Sequence, residues 1–288
     1  MAADDAPIIV FDDVSKRFPN GHLALKNVSL SFAPGEFVVV VGLSGAGKST
    51  LVRCVNRLVT PTNGRVLVDG TDVTALSDAG LRRVRARVGM IFQSYNLVRR
   101  SSVLRNVLAG RLAYLPTWRT LLGLFPKSDV NLALSSLVRV GIGEKAYQRA
   151  DTLSGGQQQR VAIARALTQQ PRILLADEPV ASLDPPTAHQ VMRDLKTLSR
   201  EENLTTLVNL HFVDMAMEYA DRIVGLRAGE VVFDGPSKGM TDRTFEEIYG
   251  RRIRPDDLRG TATDDAPPVI AVSPVPTSVA PEAAAVGR

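Results

Sequence analysis

The run FVVVVGLSGAGKSTLVRCV, residues 37–55, joins three structural signals without a break. FVVVVG (37–42) is apolar with no alternation, which suits a strand buried on both faces, as in a parallel sheet covered by helices. A glycine-rich loop follows, and KSTLVRCVNRLV (48–59) carries helical spacing. The loop fills the pattern G-x-x-x-x-G-K-[ST] with Gly42, Gly47, Lys48 and Ser49. Its glycines let backbone N–H groups turn inward around an anion, and the helix adds its positive N-terminus to the same anion. The bland alternative, a glycine-rich turn with no ligand, does not account for the loop's place between an apolar strand and a helix. Gly42, Leu43, Ser44, Gly45, Ala46, Gly47, Lys48, Ser49 and Thr50 are therefore candidates to hold a phosphate chain. Lys48 is expected to reach the β- and γ-phosphates, and Ser49 to bind Mg²⁺.

Outward from this loop, strands and helices follow one another. IIVFDDVSKRF (8–18) alternates apolar and polar residues and predicts a strand, as does NVSLSF (27–32). PTNGRVLVDG (61–70) reads as turn and strand. LSDAGLRRVRARVGMIFQ (76–93) predicts a helix capped by Ser77 and then a short strand carrying Gln93. From about 94 to 159 the strand signal disappears. SVLRNVLAGRL, DVNLALSSLVRV and EKAYQRA have helical periodicity, so a helical subdomain is expected to interrupt the sheet. Further on, VAIARAL continues a helix, RILLAD (172–177) is a buried strand, PTAHQVMRDLKTLSR a helix and TTLVNL a strand. DRIVGLR and EVVFDG form two strands joined by Ala228 and Gly229.

Asp177 ends an apolar strand, where a carboxylate is costly unless it serves a cation. Its expected place is on Mg²⁺ through a water. Glu178, next to it, is the candidate for orienting or activating an attacking water. Taken alone the two could be an ordinary acidic pair at a strand end; the glycine loop upstream favours the catalytic reading.

Between these motifs lies LSGGQQQR (153–160). In this order, GLSGAGKST, LSGGQQQR and ILLADEP, the chain resembles the ATP-binding subunit of an ABC transporter. That resemblance implies an α/β P-loop NTPase (ABC ATPase) core with an antiparallel β subdomain and an inserted helical subdomain, using ATP and Mg²⁺. It implies that Gln93, in MIFQ, contacts Mg²⁺ and the attacking water and relays to a membrane subunit. It makes His211, in VNLHFVD, the switch histidine on the γ-phosphate, and Asp184, in ASLDP, a residue of the loop crossing a dimer interface. Phe18 takes the place of an aromatic, often tyrosine, that stacks on adenine; phenylalanine can stack but brings no hydroxyl. Ser154, Gly155, Gly156 and Gln157 open a helix that is expected to cap the γ-phosphate bound to a second copy. With one P-loop and one signature per chain, the resemblance implies an ATP-sandwiched homodimer with two composite sites.

The likeness covers about 8–250 and is specific outside the catalytic motifs. YNLVRRSSVLRNVLAGRLAYLPTWRTLLGLF, KAYQRADTLSGGQQQR, DEPVASLDP, NLHFVDMA and YADRIVGLRAGEVVFDG are similar to the phosphonate-import ATPases, including Trp118 and its neighbours. This implies uptake of phosphonates, or related phosphorus oxyanions such as phosphite. The expected partners are a separate dimeric permease in the membrane and, indirectly, an extracytoplasmic substrate-binding protein. The expected location is the cytoplasmic face of the inner or plasma membrane, as a peripheral protein. Two other classes share the motifs. One is an exporter ATPase for lipid or lipoprotein. The other is a soluble ABC ATPase, which usually has two cassettes or a long coiled-coil insertion, and this chain has neither.

The bulk numbers agree with this reading. Hydrophobic residues make up 44% and charged residues 23% of 288, which is ordinary for a globular domain with a sizeable core. No apolar run approaches the roughly 20 residues needed to cross a bilayer. MAADDAPIIV lacks a basic n-region, so a signal peptide is not expected. Cys54 is the single cysteine, which fits a reducing compartment and reads as a small packed residue on the helix after the loop. The net charge of +5 draws on arginines 82, 83, 85, 87, 99 and 100. They suit a solvated face or an anionic surface; with 5% aromatics and no nucleic-acid module, no nucleic-acid partner is expected. Residues 1–7 are read as a flexible lead-in, 8–258 as the ATPase domain and 259–288 as a disordered tail rich in Pro and Ala.

Overall fold

The computed structural model describes residues 6–252. The expected tail, residues 253–258 of the expected domain and most of the expected lead-in lie outside them. The chain opens with a hairpin, β1 (Ile9–Arg17) and β2 (Leu23–Phe32), followed by β3 (Phe37–Val41), whose five residues are all buried. After the glycine loop comes α1 (Lys48–Val55), with Leu51, Val52, Cys54 and Val55 inward. Burial pushes the Cys54 thiol up to about 12, so it packs as an inert residue. Next are β4 (Asn63–Val68), the short β5 (Thr71–Asp72), α2 (Asp78–Ala86) and β6 (Val88–Ile91). Ser77 caps α2 as expected, its Oγ accepting from the Gly80 N–H.

The segment after β6 is helical, with α3 (Val103–Leu108), a 3₁₀ stretch over Ala109–Tyr114, α4 (Thr117–Leu122) and α5 (Lys127–Arg139). The switch to 3₁₀ falls where a Cβ on Gly110 would sit 2.4 Å from the Arg165 carbonyl, so the two backbones touch. EKAYQRA does not form the expected helix. Only short 3₁₀ turns, Gly143–Lys145 and Ala150–Thr152, overlap its two ends. Its carbonyls are spent elsewhere: Ala146 and Gln148 accept from the N–H groups of Leu104 and Val103, the free donors at the start of α3.

The signature then opens α6 (Gly155–Thr168), which leads to β7 (Ile173–Asp177), α7 (Pro185–Glu201), β8 (Thr205–Asn209), α8 (Val213–Tyr219), β9 (Arg222–Arg227), β10 (Glu230–Pro236) and α9 (Asp242–Tyr249). The helix α4 falls within the segment expected to be helical, whereas α8 and α9 carry no expectation from the sequence. For α9 the signals were present: Thr241 caps its start and Gly250, at φ 68°, ends it.

Two sheets result. One is antiparallel, in the order β2-β1-β4-β5. The other has the order β10-β9-β3-β8-β7-β6, parallel except at β10. Alternate residues of the parallel strands serve two cores. Val38, Val40, Ile173, Leu175 and Leu207 pack with α1 and the antiparallel sheet. Phe37, Val39, Val41, Leu174, Ala176 and Val208 pack with the helical region, α6 and α7. Among the described residues no helix is long and apolar enough to cross a membrane.

Candidate active site

Strands β3, β7 and β8 are parallel, so the segments following them emerge at one edge of the sheet. After β3 the loop turns on Gly42 (φ 146°), Gly45 (φ 78°) and Gly47 (φ 105°). Side chains are excluded at two of these positions. A Cβ on Gly42 would lie 2.1 Å from the Leu226 carbonyl, and one on Gly47 2.2 Å from that of Ala24. Leu43, Ser44 and Gly45 form the exposed outer turn, and Ala46 is buried beneath it. Lys48, at the first position of α1, is 4% exposed and donates to the carbonyls of Gly42 (2.7 Å) and Leu43 (3.0 Å). Burial lowers its pKa to about 8, against the pull of Glu178 and Asp177.

Asp177 and Asn209 are the last residues of β7 and β8 and stand opposite each other in register. They share the parity of Leu175 and Leu207, so both face α1. There Asp177 Oδ2 accepts from Arg53 Nε (2.9 Å) and pairs with its Nη2 (2.8 Å). Asn209 Nδ2 donates to Asp177 Oδ1 (2.9 Å) and Ser49 Oγ (3.1 Å). Asp177 and Ser49 are thus joined through a third residue. Gln93 is not part of this group: it lies two residues beyond β6, in an exposed turn rather than in the strand.

Glu178 leaves β7 in a left-handed conformation, φ 53°. For a residue with a Cβ that costs about 1–2 kcal/mol, and such strain concentrates at working sites. Its Oε1 lies 2.7 Å from His211 Nε2. That contact, aided by Lys48 and Arg53, holds the Glu178 carboxyl below the usual glutamate range despite partial burial. Phe18, just past β1, lies 6.5 Å from the His22 ring with the planes 10° apart.

A cleft of about 200 Å³ gathers Phe18, His22, residues of the glycine loop from Ser44 to Thr50, Glu178 and His211. Its lining combines the glycine loop and a buried amine with a carboxylate beside an imidazole. This suits a polyphosphate whose terminal group is attacked by water. The described residues hold no group of three or more His, Cys, Asp or Glu that could cage a metal. A cation would depend on Ser49, phosphate oxygens and water, which is how Mg²⁺ is commonly held. The Oδ1 of Asn209, buried and without a hydrogen-bond partner among the described residues, fits a hydrated ion nearby.

The signature residues do not line this cleft. Ser154 caps α6 in a reciprocal box with Gln157, and Ser154 and Gly155 are exposed. A Cβ on Gly156 would lie 2.7 Å from Thr187 Cγ2, and Thr187 donates to Asp184, the cap of α7. The fold therefore brings 154–157 and Asp184 to one surface, apart from their own chain's cleft. Asn209, Arg53 and His22 escaped the sequence reading. Asn209 left a signal, as a polar residue within an apolar strand. Arg53 left none, because its partner is 124 residues away.

A protein-family model described as ABC transporter matches residues 25–181. The phosphonates import ATP-binding protein PhnC 3 of Halalkalibacterium halodurans is 65% identical over 253 residues, 88% of this chain and 98% of that protein. PhnC 1 of Oceanobacillus iheyensis is 62% identical over 257 residues, covering 89% of this chain and all of the relative. Among solved structures, the dimeric bacterial ABC transporter cassette MJ0796 superimposes with a TM-score of 0.72 at 35% identity, over 81% of this chain and 100% of the cassette. The same cassette in a dimeric post-hydrolysis state, bound to ADP and Pi, gives 0.70 at 35% identity and the same coverage.

Proposed function

This chain belongs to the ABC transporter family, and on that premise we propose that it hydrolyses ATP to drive import of phosphonates through a separate permease. The observation that carries the ATPase reading is the cleft itself, where the glycine loop with Lys48 faces the Glu178–His211 pair. The substrate class rests on relatives named as phosphonate importers at 62–65% identity along nearly their whole length.

In this reading the loop N–H groups and the Lys48 ammonium bind the phosphates, and Phe18 stacks on the base. Glu178, ionised and oriented by His211, takes the proton of the attacking water, and His211 contacts the γ-phosphate. Ser49, Gln93 and, through water, Asp177 would hold Mg²⁺, whose charge offsets that of the phosphate oxygens. From its exposed turn Gln93 would have to move to reach this position.

The exposed signature and Asp184 act on the nucleotide of a second copy, and the dimeric cassette MJ0796 supports that arrangement. The permease docks beside the helical subdomain, about 94–159, within an ATPase domain spanning 8–258. A groove of about 940 Å³ between α2 and the 3₁₀ stretch supports this face, as do the exposed Trp118, Leu121 and Leu122 of α4. The protein then sits peripherally on the cytoplasmic side of the membrane, served by an extracytoplasmic binding protein.

Two experiments test the proposal. Glu178→Gln is expected to bind ATP, hydrolyse it about 10²–10⁴-fold more slowly and accumulate as a closed dimer with Mg·ATP; a variant that stays monomeric at saturating nucleotide removes the sandwich. Deleting the gene is expected to abolish growth on a phosphonate as sole phosphorus source, with restoration by the wild-type gene but not by Glu178→Gln. Loss of growth on phosphite instead reassigns the cargo.

A further inference from the structure

We propose that Asn209 is a positioning residue for the nucleotide-bound cation: Nδ2 ties Ser49 to Asp177, and Oδ1 accepts from a water of the hydrated ion. This rests on the ATPase reading of the site and adds to it a residue to which the resemblance gives no role. Asn209 is 0% exposed at the end of a strand whose five residues are all buried. An amide there is costly unless its polar atoms are used. Nδ2 is used twice, by Ser49 Oγ and Asp177 Oδ1. Oδ1 is buried with no hydrogen-bond partner among the described residues.

The amide cannot turn over to relieve this. A carboxylate oxygen only accepts, so the NH₂ has to face Asp177. The side chain is therefore fixed with an empty acceptor while hydrogen-bonded to two of the proposed cation-holding groups. The Nδ2 bond leaves the Ser49 oxygen a second lone pair for the ion. Mg²⁺ keeps several waters when bound, and each water presents O–H donors that outer acceptors orient. A water of that shell is the donor that Oδ1 lacks. Arg53 completes the arrangement by occupying the other oxygen of Asp177.

The test measures metal affinity rather than turnover. Mn²⁺ binding to the full-length, ATP-loaded protein is followed by electron paramagnetic resonance, and ATP binding in EDTA by calorimetry. Asn209→Leu keeps the shape and removes every side-chain hydrogen bond; Asn209→Thr suits a strand and serves if the leucine variant fails to fold. Both are expected to lose about 10–100-fold in Mn²⁺ affinity, the usual cost of removing an outer-shell partner, with ATP affinity in EDTA within about twofold of wild type. A folded variant that binds Mn²⁺ like wild type overturns the assignment of Asn209 alone. A wild-type protein whose ATP binding is indifferent to both divalent cation and Lys48→Ala overturns the reading of the site and this inference together.

Discussion

Burial disfavours the charge on Lys48. With its pKa lowered to about 8, the amine of the nucleotide-free protein loses its proton as pH rises through that value. Phosphates beside it favour the charged form. ATP binding is therefore expected to take up a proton between about pH 8 and 10, and affinity to fall as pH rises through about 8. Calorimetry in buffers of different ionisation enthalpy reads the uptake directly; a proton count of zero at pH 9 contradicts it. His211 acts in the opposite sense on Glu178, since their hydrogen bond keeps the carboxyl ionised to lower pH. His211→Ala is expected to bind ATP, to hydrolyse it about 10²–10⁴-fold more slowly, and to move the acid limb of the rate profile to higher pH. An unmoved limb with normal turnover separates His211 from Glu178.

At the scale of elements, the strand–loop–helix around residues 37–55 and the buried strands before Asp177 and His211 were legible because their signals are local. Apolar runs, glycines and caps act within a few residues. EKAYQRA was misread because long-range bonds from α3 claim its carbonyls, and periodicity does not report such bonds. Gln93 was placed in the strand because a ladder's end depends on its neighbour: β6 pairs with β7 only as far as Ile91. Asn209 became meaningful only once α1 crossed the ends of β7 and β8. The helical region also hides a fastening unseen in sequence, where Arg111 Nε donates to Asp129 at 3.0 Å with both side chains nearly buried. Breaking such a pair strands one charge. Asp129→Ala is expected to cost about 3 kcal/mol in urea unfolding; a midpoint unchanged from wild type shows that solvent reaches Arg111 after all.

For the whole molecule, the separation between the cleft and the exposed signature sets the kinetics. If two chains complete each site, ATPase activity per protein is expected to rise with protein concentration at saturating ATP and then level off. Specific activity that is flat through dilution means one chain suffices. The placement of the cores has a practical consequence as well. Phe37, Val39 and Val41 share a single apolar cluster with Val103, Leu137 and Ile163, so the helical region has no interior of its own. A chimaera that grafts only residues 94–159 from another transporter would set foreign side chains against this sheet. A graft that keeps its packing has to carry α6 and α7 with it, so the seam for engineering runs through the layers rather than along the chain.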